Sequence, residues 1–316
     1  MEQAPVTEEG EHVLPDGTKL YSKLWKSSTV PPSALLIFIH GFSDHINAYN
    51  ELFPILTSRG IQTFGVDQRG WGRSVSSSPT LRGLTGPTAT VLADMSSIIE
   101  TQLKKNQGKL PVFLMGHSMG GAQVLQWIAR GPVELRQQLH GYLAESPFIA
   151  LHKDSQPARF TVVAGRMAAR LLPKRQMVQK LDPNMMSRDP EVCRQYDADK
   201  LCHDTGTLEG LAGMLQRAEE LERGVVTITE EDDLRIWVGH GSGDKVCSFD
   251  ATQKFMDRLR VKDKEFKIYD GWFHKLHAEP EHDKIVFANE VADWILARTT
   301  QARSPSSHPT ESQSKL

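Results

Sequence analysis

The residues that could carry chemistry stand out by their neighbours. Ser118 lies in VFLMGHSMGG (112–121), where four apolar residues run into a serine fenced by glycines. The stretch makes sense if Ser118 sits on a sharp turn between a buried strand and a helix, with its hydroxyl forced outward. That is the nucleophile elbow G-x-S-x-G, here Gly116-His117-Ser118-Met119-Gly120. Its glycines are needed because a Cβ at either flank would collide with the neighbouring strand or helix. A serine hydroxyl is a poor nucleophile until a base takes its proton, and the base needs an orienting acid. Around an elbow the partners follow in the order serine, acid, histidine. Asp244 in VGHGSGDKVCS and His274 in YDGWFHKLHAEP both fall just past an apolar, strand-like run, where a sheet would gather them beside Ser118. The oxyanion formed by such an attack needs two preorganised amides. Met119, directly after the serine, supplies one, and Phe42 in His40-Gly41-Phe42 supplies the other.

Each position has rivals. Glu145 also ends a predicted strand and competes as the acid; the Gly-Ser-Gly turn before Asp244 favours Asp244 and leaves Glu145 a structural place or one at the cap junction. His277, three residues after His274, competes as the base. Read as a metal pair, HKLH lacks a third ligand at a plausible spacing, and HExxH is absent, so neither a metal site nor any cofactor is expected. His117, constrained inside the elbow, reads as a packing residue. Cys247 reads either as a thiol beside the pocket or as a small buried hydrophobe.

The elements that must hold these groups alternate. A hairpin is expected around Pro15-Asp16-Gly17, and ALLIFIHGF (34–42) is a continuous apolar run typical of a strand buried on both faces. Strands follow at 61–70, 111–116, 141–146, 234–244 and 265–274, with helices at 89–105, after Ser118, at 249–260 and near 283–298. Such alternation means an α/β fold with a mostly parallel central sheet flanked by helices. Residues 147–222 interrupt the pattern and read as helices only, a helical cap inserted over the carboxyl ends of the strands, where ligands bind in open sheets. The organisation is therefore a core over 1–146 and 223–300, a cap over 147–222 and a disordered tail over 301–316.

With 316 residues and a formal net charge of -2, the chain offers no electrostatic footprint for nucleic acid. Three cysteines without a CxxC pair fit free thiols in a reducing compartment. The acidic amino end lacks a signal-peptide pattern, and no stretch reaches the ~20 apolar residues of a membrane span. The Ser/Pro-rich tail ends in Ser314-Lys315-Leu316, a tripeptide read by the peroxisomal import receptor, which sets the peroxisome as the expected location, with cytoplasm or lipid droplet as the alternatives. In the cap, Phe160–Leu172 places apolar residues at helical spacing opposite Arg159, Arg166 and Arg170. Such a face suits a membrane or lipid-droplet surface and equally suits packing on the core.

HGFSDH, DQRGWGRS, GHSMGG, HGSGDKVCS and GWFHKLH, in this order and spacing, resemble the monoacylglycerol lipases of the α/β-hydrolase superfamily over roughly residues 10 to 300. The resemblance implies a triad of Ser118, Asp244 and His274, an oxyanion hole at Phe42 and Met119, and glycerol recognition by Asp44, Tyr196 and His277. It departs from the family after HGxxxH, where INAYNEL stands in place of a segment that often carries an arginine. The activity implied is hydrolysis of a fatty-acyl ester, monoacylglycerol to glycerol and free fatty acid, through an acyl-enzyme. Lysophospholipase activity, or a tailoring acyltransferase or thioesterase in a peroxisomal pathway, is the alternative. A catalytically silent scaffold is disfavoured because no triad member is missing, and dehalogenases and epoxide hydrolases are excluded because they need an aspartate at the elbow.

Overall fold

A computed structural model describes residues 5–26, 30–156, 159–228 and 233–300, with the side chains of 159–163 outside the description. The tail and its Ser314-Lys315-Leu316 end lie outside the described residues, as does the amino-terminal part of the amphipathic stretch in the cap.

Eight strands form one sheet: β1 (Val6–Val13), β2 (Lys19–Lys26), β3 (Ala34–Ile39), β4 (Ile61–Val66), β5 (Val112–His117), β6 (Leu139–Glu145), β9 (Arg235–Gly241) and β10 (Asp263–Tyr269). Their spatial order is β1-β2-β4-β3-β5-β6-β9-β10. The amino-terminal hairpin is antiparallel, with β2 also antiparallel to β4, and every pair from β4 onward is parallel. The helices are α1 (Leu52–Ser58), α2 (Thr88–Asn106), α3 (Met119–Arg130), α4 (Val133–Arg136), α8 (Phe249–Arg258) and α9 (Glu281–Leu296), with α5–α7 reserved for the insert.

The period-two alternation of a strand divides the interior into two cores. Leu35, Ile37 and Ile39 of β3 and Leu114 of β5 point to one face, against Met95 and Ile98 of α2, Val124 and Ile128 of α3 and Phe255 of α8. Leu36 and Phe38 of β3 with Phe113 and Met115 of β5 point to the other, against Phe53 and Leu56 of α1 and Phe287 and Val291 of α9. Both faces being covered explains why these strands read as unbroken apolar runs. Truncating a ring such as Phe38 to alanine would cost about 3–5 kcal/mol.

The insert differs from the all-helical expectation. Between β6 and β9 the chain forms α5 (Arg159–Leu171), β7 (Gln176–Val178), α6 (Pro190–Ala198), β8 (Thr205–Thr207) and α7 (Leu208–Glu222), and β7 pairs with β8 in a small antiparallel ribbon. The stretch from Leu201 was expected to be helical throughout. Its helix starts only at Leu208, because the Thr207 hydroxyl accepts from the Gly210 amide as an N-cap, and the β-branched Thr205 and Thr207 on either side of Gly206 favour extended backbone. Among the described residues no helix is long and apolar enough to cross a membrane.

Candidate active site

The elbow is built as its glycines require. Ser118 follows β5 and opens α3 with φ 53° and ψ −116°, a strained conformation costing on the order of 1–3 kcal/mol. A Cβ on Gly116 would stand 2.3 Å from the Gly120 carbonyl oxygen, and one on Gly120 would stand 2.1 Å from the Ile39 carbonyl oxygen, so backbone blocks any larger residue at both places. The Ser118 amide donates to the Glu145 carbonyl at 2.9 Å, and its own carbonyl accepts from Phe148 and Ala122. The strained turn is thus pinned to β6 and to its own helix.

Ser118 Oγ lies 3.0 Å from His274 Nε2, and His274 Nδ1 lies 2.8 Å from Asp244 Oδ2. All three residues are buried. Asp244 reaches this position from the loop after β9, where its Oδ1 accepts from the amides of Val246 and Cys247 at 2.7 and 2.9 Å. That loop is stitched to the chain leaving β6: His152 donates to the Val246 carbonyl and Ser248 to the Ala150 carbonyl. Burial opposes a charge on Asp244, but the adjoining His274 and His240 outweigh it and hold the carboxyl below the usual range. His240, four residues before the acid, places Nε2 at 3.0 Å from Asp244 Oδ2 and is itself fixed by Thr252.

The expected oxyanion amides face the same space. Met119 is the first residue of α3, so its N–H has no helical acceptor, and Phe42 N–H makes no backbone bond among the described residues. A Cβ on Gly41 would be 3.2 Å from the Ser118 Cβ, which shows how closely this loop approaches the serine. His40 braces the loop by accepting from the Gln68 amide at 2.9 Å. The Phe42 ring meets Trp71 edge-on at 4.9 Å, and Trp71 stacks flat on His203 of the insert at the same distance.

The two histidines of HKLH part company. His277 does not join the triad; its Nδ1 lies 2.7 Å from Glu145 Oε1, which also accepts from the His277 amide. Glu145 is therefore engaged by His277, not by His274. The His277 ring sits against Tyr49 and His117, and its buried Nε2 has no partner among the described residues. His117, Glu145 and His277 bring ligand atoms within 4.8 Å of one another, a grouping the linear spacing hides because it draws on the ends of β5 and β6 and on the turn at Leu276–Ala278. His117 also bonds Tyr49 through Nδ1 at 2.9 Å, in keeping with a packing role. Cys247 Sγ is 4.0 Å from Ser118 Oγ, and the residue is fully buried. Burial, with the Asp244 charge beside it, pushes that thiol well up, so the pocket-side and buried readings both describe it.

Asp44 and Tyr196 meet around a residue that sequence reasoning missed. Lys275 Nζ lies 3.0 Å from Asp44 Oδ2 and 5.0 Å from the centroid of the Tyr196 ring. Tyr49 also donates to Asp44. Burial pushes against the charge, yet Lys275 and the neighbouring His45 hold the Asp44 carboxyl down at about 2, while Lys275 is raised by the same pairing. No signal in the sequence marked this pairing, since Asp44 and Lys275 come from different loops 231 residues apart. The insert fastens onto both loops, through Lys275 N–H to the Met186 carbonyl, Asp204 N–H to Ser43 Oγ, and His45 to Asp199 at 2.8 Å.

A mostly parallel sheet, a strained serine between β5 and α3, and a histidine and aspartate delivered from the ends of later strands together define an α/β-hydrolase. A family model described as serine aminopeptidase, S33, matches residues 30–281, and the chain belongs to this hydrolase family. It is 31% identical over 276 residues to a putative monoglyceride lipase of Schizosaccharomyces pombe, covering 87% of this chain and 71% of that protein. It is 29% identical over 290 residues to the human monoglyceride lipase, covering 91% and 90% of the two chains. Among solved structures, a soluble variant of the Saccharomyces cerevisiae monoglyceride lipase, in complex with a substrate analogue, superposes with a TM-score of 0.84 at 24% identity, over 95% of this chain and 97% of that one.

Proposed function

We propose that the protein hydrolyses monoacylglycerol to glycerol and a free fatty acid through an acyl-enzyme on Ser118. The observation that carries this reading is the unbroken chain Ser118 Oγ–His274–Asp244, set beside two unengaged amides in a fold whose relatives are monoglyceride lipases. Ser118 Oγ attacks the ester carbonyl as His274 Nε2 takes its proton. The amides of Phe42 and Met119 hold the negative oxygen of the tetrahedral intermediate. The glycerol oxygen then leaves with the proton from His274. Water, deprotonated by the same nitrogen, attacks the acyl-enzyme and releases the acid. Asp244, kept ionised by its surroundings, stabilises the imidazolium throughout. Asp44, Tyr196 and Lys275 offer an acceptor and donors for the glycerol hydroxyls. His277 acts on that end through its bond to Glu145 rather than as the base. A panel of monoacyl-, diacyl- and triacylglycerols, lysophospholipids and acyl-CoAs tests the reading. Monoacylglycerol should give the highest kcat/KM, and a lysophospholipid turned over faster would displace it.

The insert is proposed as a cap that meets lipid. Met167, Leu171 and Leu172 of the α5 region and Met177 and Val178 of β7 are exposed, with Leu171 at 80%, beside exposed Lys174 and Arg175. Clustered apolar side chains with basic neighbours suit an anionic interface. Leu171→Ser with Leu172→Ser should slow turnover of vesicle-borne monoacylglycerol while sparing a soluble nitrophenyl ester; equal rates on both would refute the contact.

The address at the carboxyl end is proposed to direct the protein to peroxisomes. A fluorescent protein fused at the amino end should collect there, and deletion of Ser314 to Leu316 should release it to the cytosol. An unchanged distribution would show that the tripeptide is not read.

A further inference from the structure

A second group of polar side chains borders the site on a wall that an alkyl chain would not need. Phe42 and Met119, the two amide donors, line a narrow cavity together with Trp71, Leu211, Gln123 and Arg217. Arg217 belongs to α7, the insert helix packed on α3, and is 3% exposed. The one hydrogen bond of its guanidinium among the described residues runs from Nη1 to Thr88 Oγ1 at 3.1 Å, a neutral partner. Glu220, almost a turn further on, is occupied by Arg130 at 2.9 Å and by Gln126. Burial brings the Arg217 guanidinium down to about 10, and the more distant Glu220 only partly offsets this. Gln123, 2% exposed on α3, has no partner for Oε1 among the described residues. A half-turn of its amide would present a donor in the same place.

Among the described residues the buried Arg217 lacks a carboxylate and the buried Gln123 Oε1 lacks a partner; both are costly, and both residues border the same space beside the oxyanion donors. A purely aliphatic acyl chain would leave them unsatisfied. A chain ending in a carboxylate would accept from Arg217 and from the turned Gln123 amide. We propose that Arg217 and Gln123 recognise an anionic oxygen function on the acyl group, so that the preferred substrates are monoesters of dicarboxylic acids. The inference rests on the hydrolase reading of Ser118 and leaves its chemistry unchanged. Only the ester bond is exchanged for a bond to water, and the distal carboxylate is bound without reacting. Phe42, Met119, Gln123 and Arg217 line one narrow cavity, so an acyl group reaching along it from Ser118 would meet the guanidinium.

The test compares nitrophenyl monoesters of dicarboxylic acids with nitrophenyl alkanoates of equal length. The wild-type protein should prefer the carboxylated series by about tenfold or more in kcat/KM, the worth of one charge-assisted contact. Arg217→Met should abolish that preference while leaving kcat/KM on the alkanoates within about threefold, and Arg217→Lys should retain part of it. As a readout on the unaltered protein, the free dicarboxylates should compete better than fatty acids of equal length. The inference is overturned if the wild type shows no preference and the dicarboxylates do not compete. It is also overturned if a cooperatively melting Arg217→Met loses activity on both series in proportion, which would make Arg217 structural. Hydrolysis of the alkanoates without the preference leaves the reading of Ser118 standing; hydrolysis of neither series removes both.

Discussion

Ser118→Ala and His274→Ala should each lower kcat by about 10⁴-fold or more, on monoacylglycerol and on a simple nitrophenyl ester alike. The loss is shared between substrates because both variants strike the bond-making step, upstream of anything that reads the alcohol. Asp244→Asn belongs to the same class. An amide at this position keeps the 2.7 and 2.9 Å contacts from Val246 and Cys247 only through its oxygen, and its NH2 donor then faces His274 Nδ1 where the carboxylate accepted. The imidazole then loses the orientation that presents Nε2 to the serine. Because the three residues work as a unit, the double variant Ser118→Ala/His274→Ala should be scarcely worse than either single one. A fluorophosphonate should label the wild type at Ser118 and fail to label Ser118→Ala. Folded Ser118→Ala that retains its esterase rate would remove the assignment altogether.

Lys275→Met should lower the unfolding free energy by about 3–5 kcal/mol near neutral pH, because it leaves the buried Asp44 carboxylate without its cation. The pH dependence has a definite sign. Asp44 is held down to about 2 in the folded protein, against about 3.9 for a free side chain. Its pairing therefore contributes stability above the ordinary carboxylate value, and this is lost as pH falls toward about 2. Lys275 is raised, so its contribution is full below the ordinary lysine value and fades as pH climbs through the folded one. The gap between Lys275→Met and wild type should consequently be widest between these limits and shrink in acid, where Asp44 takes up a proton. Lys275→Met/Asp44→Asn should recover most of the loss. Denaturant titration of the four proteins at neutral and acid pH decides the matter. A single variant as stable as the wild type, or a gap that widens on acidification, would contradict it. Activity gives a second readout: kcat/KM for monoacylglycerol should fall much further than for the nitrophenyl ester.

Local grammar made the positions around Ser118 readable. Gly116 and Gly120 announce a turn that only glycine fits, and the apolar runs of β3, β5 and β9 end where functional residues begin. Strand ends in a parallel sheet converge whatever their separation in sequence, so Asp244 and His274 could be placed beside Ser118 without a contact map. Pairings between loops had no such rule. Nothing in HKLH says that its first histidine turns to Asp244 and its second to Glu145, since that depends on which strand end each side chain meets. Lys275 was overlooked because a lysine beside a histidine ordinarily reads as a solvated charge, whereas here its stem is buried and its ammonium ends on Asp44. The short ribbon of β7 and β8 escaped because three-residue strands carry too little periodicity to outweigh a helical neighbour, and Gly206 has no side chain to contribute.

Three bonds tie the insert to the loops that carry Phe42 and His274. Met186 accepts from Lys275, Ser43 accepts from Asp204, and His45 meets Asp199, so the insert cannot swing away without also releasing the segments on either side of the serine. Opening the pocket and loosening the catalytic loops are then a single cooperative excursion, in the manner of a unit of sub-global unfolding. A form in which the insert had left these three partners would hold the loops beside Ser118 less tightly than the covered form does.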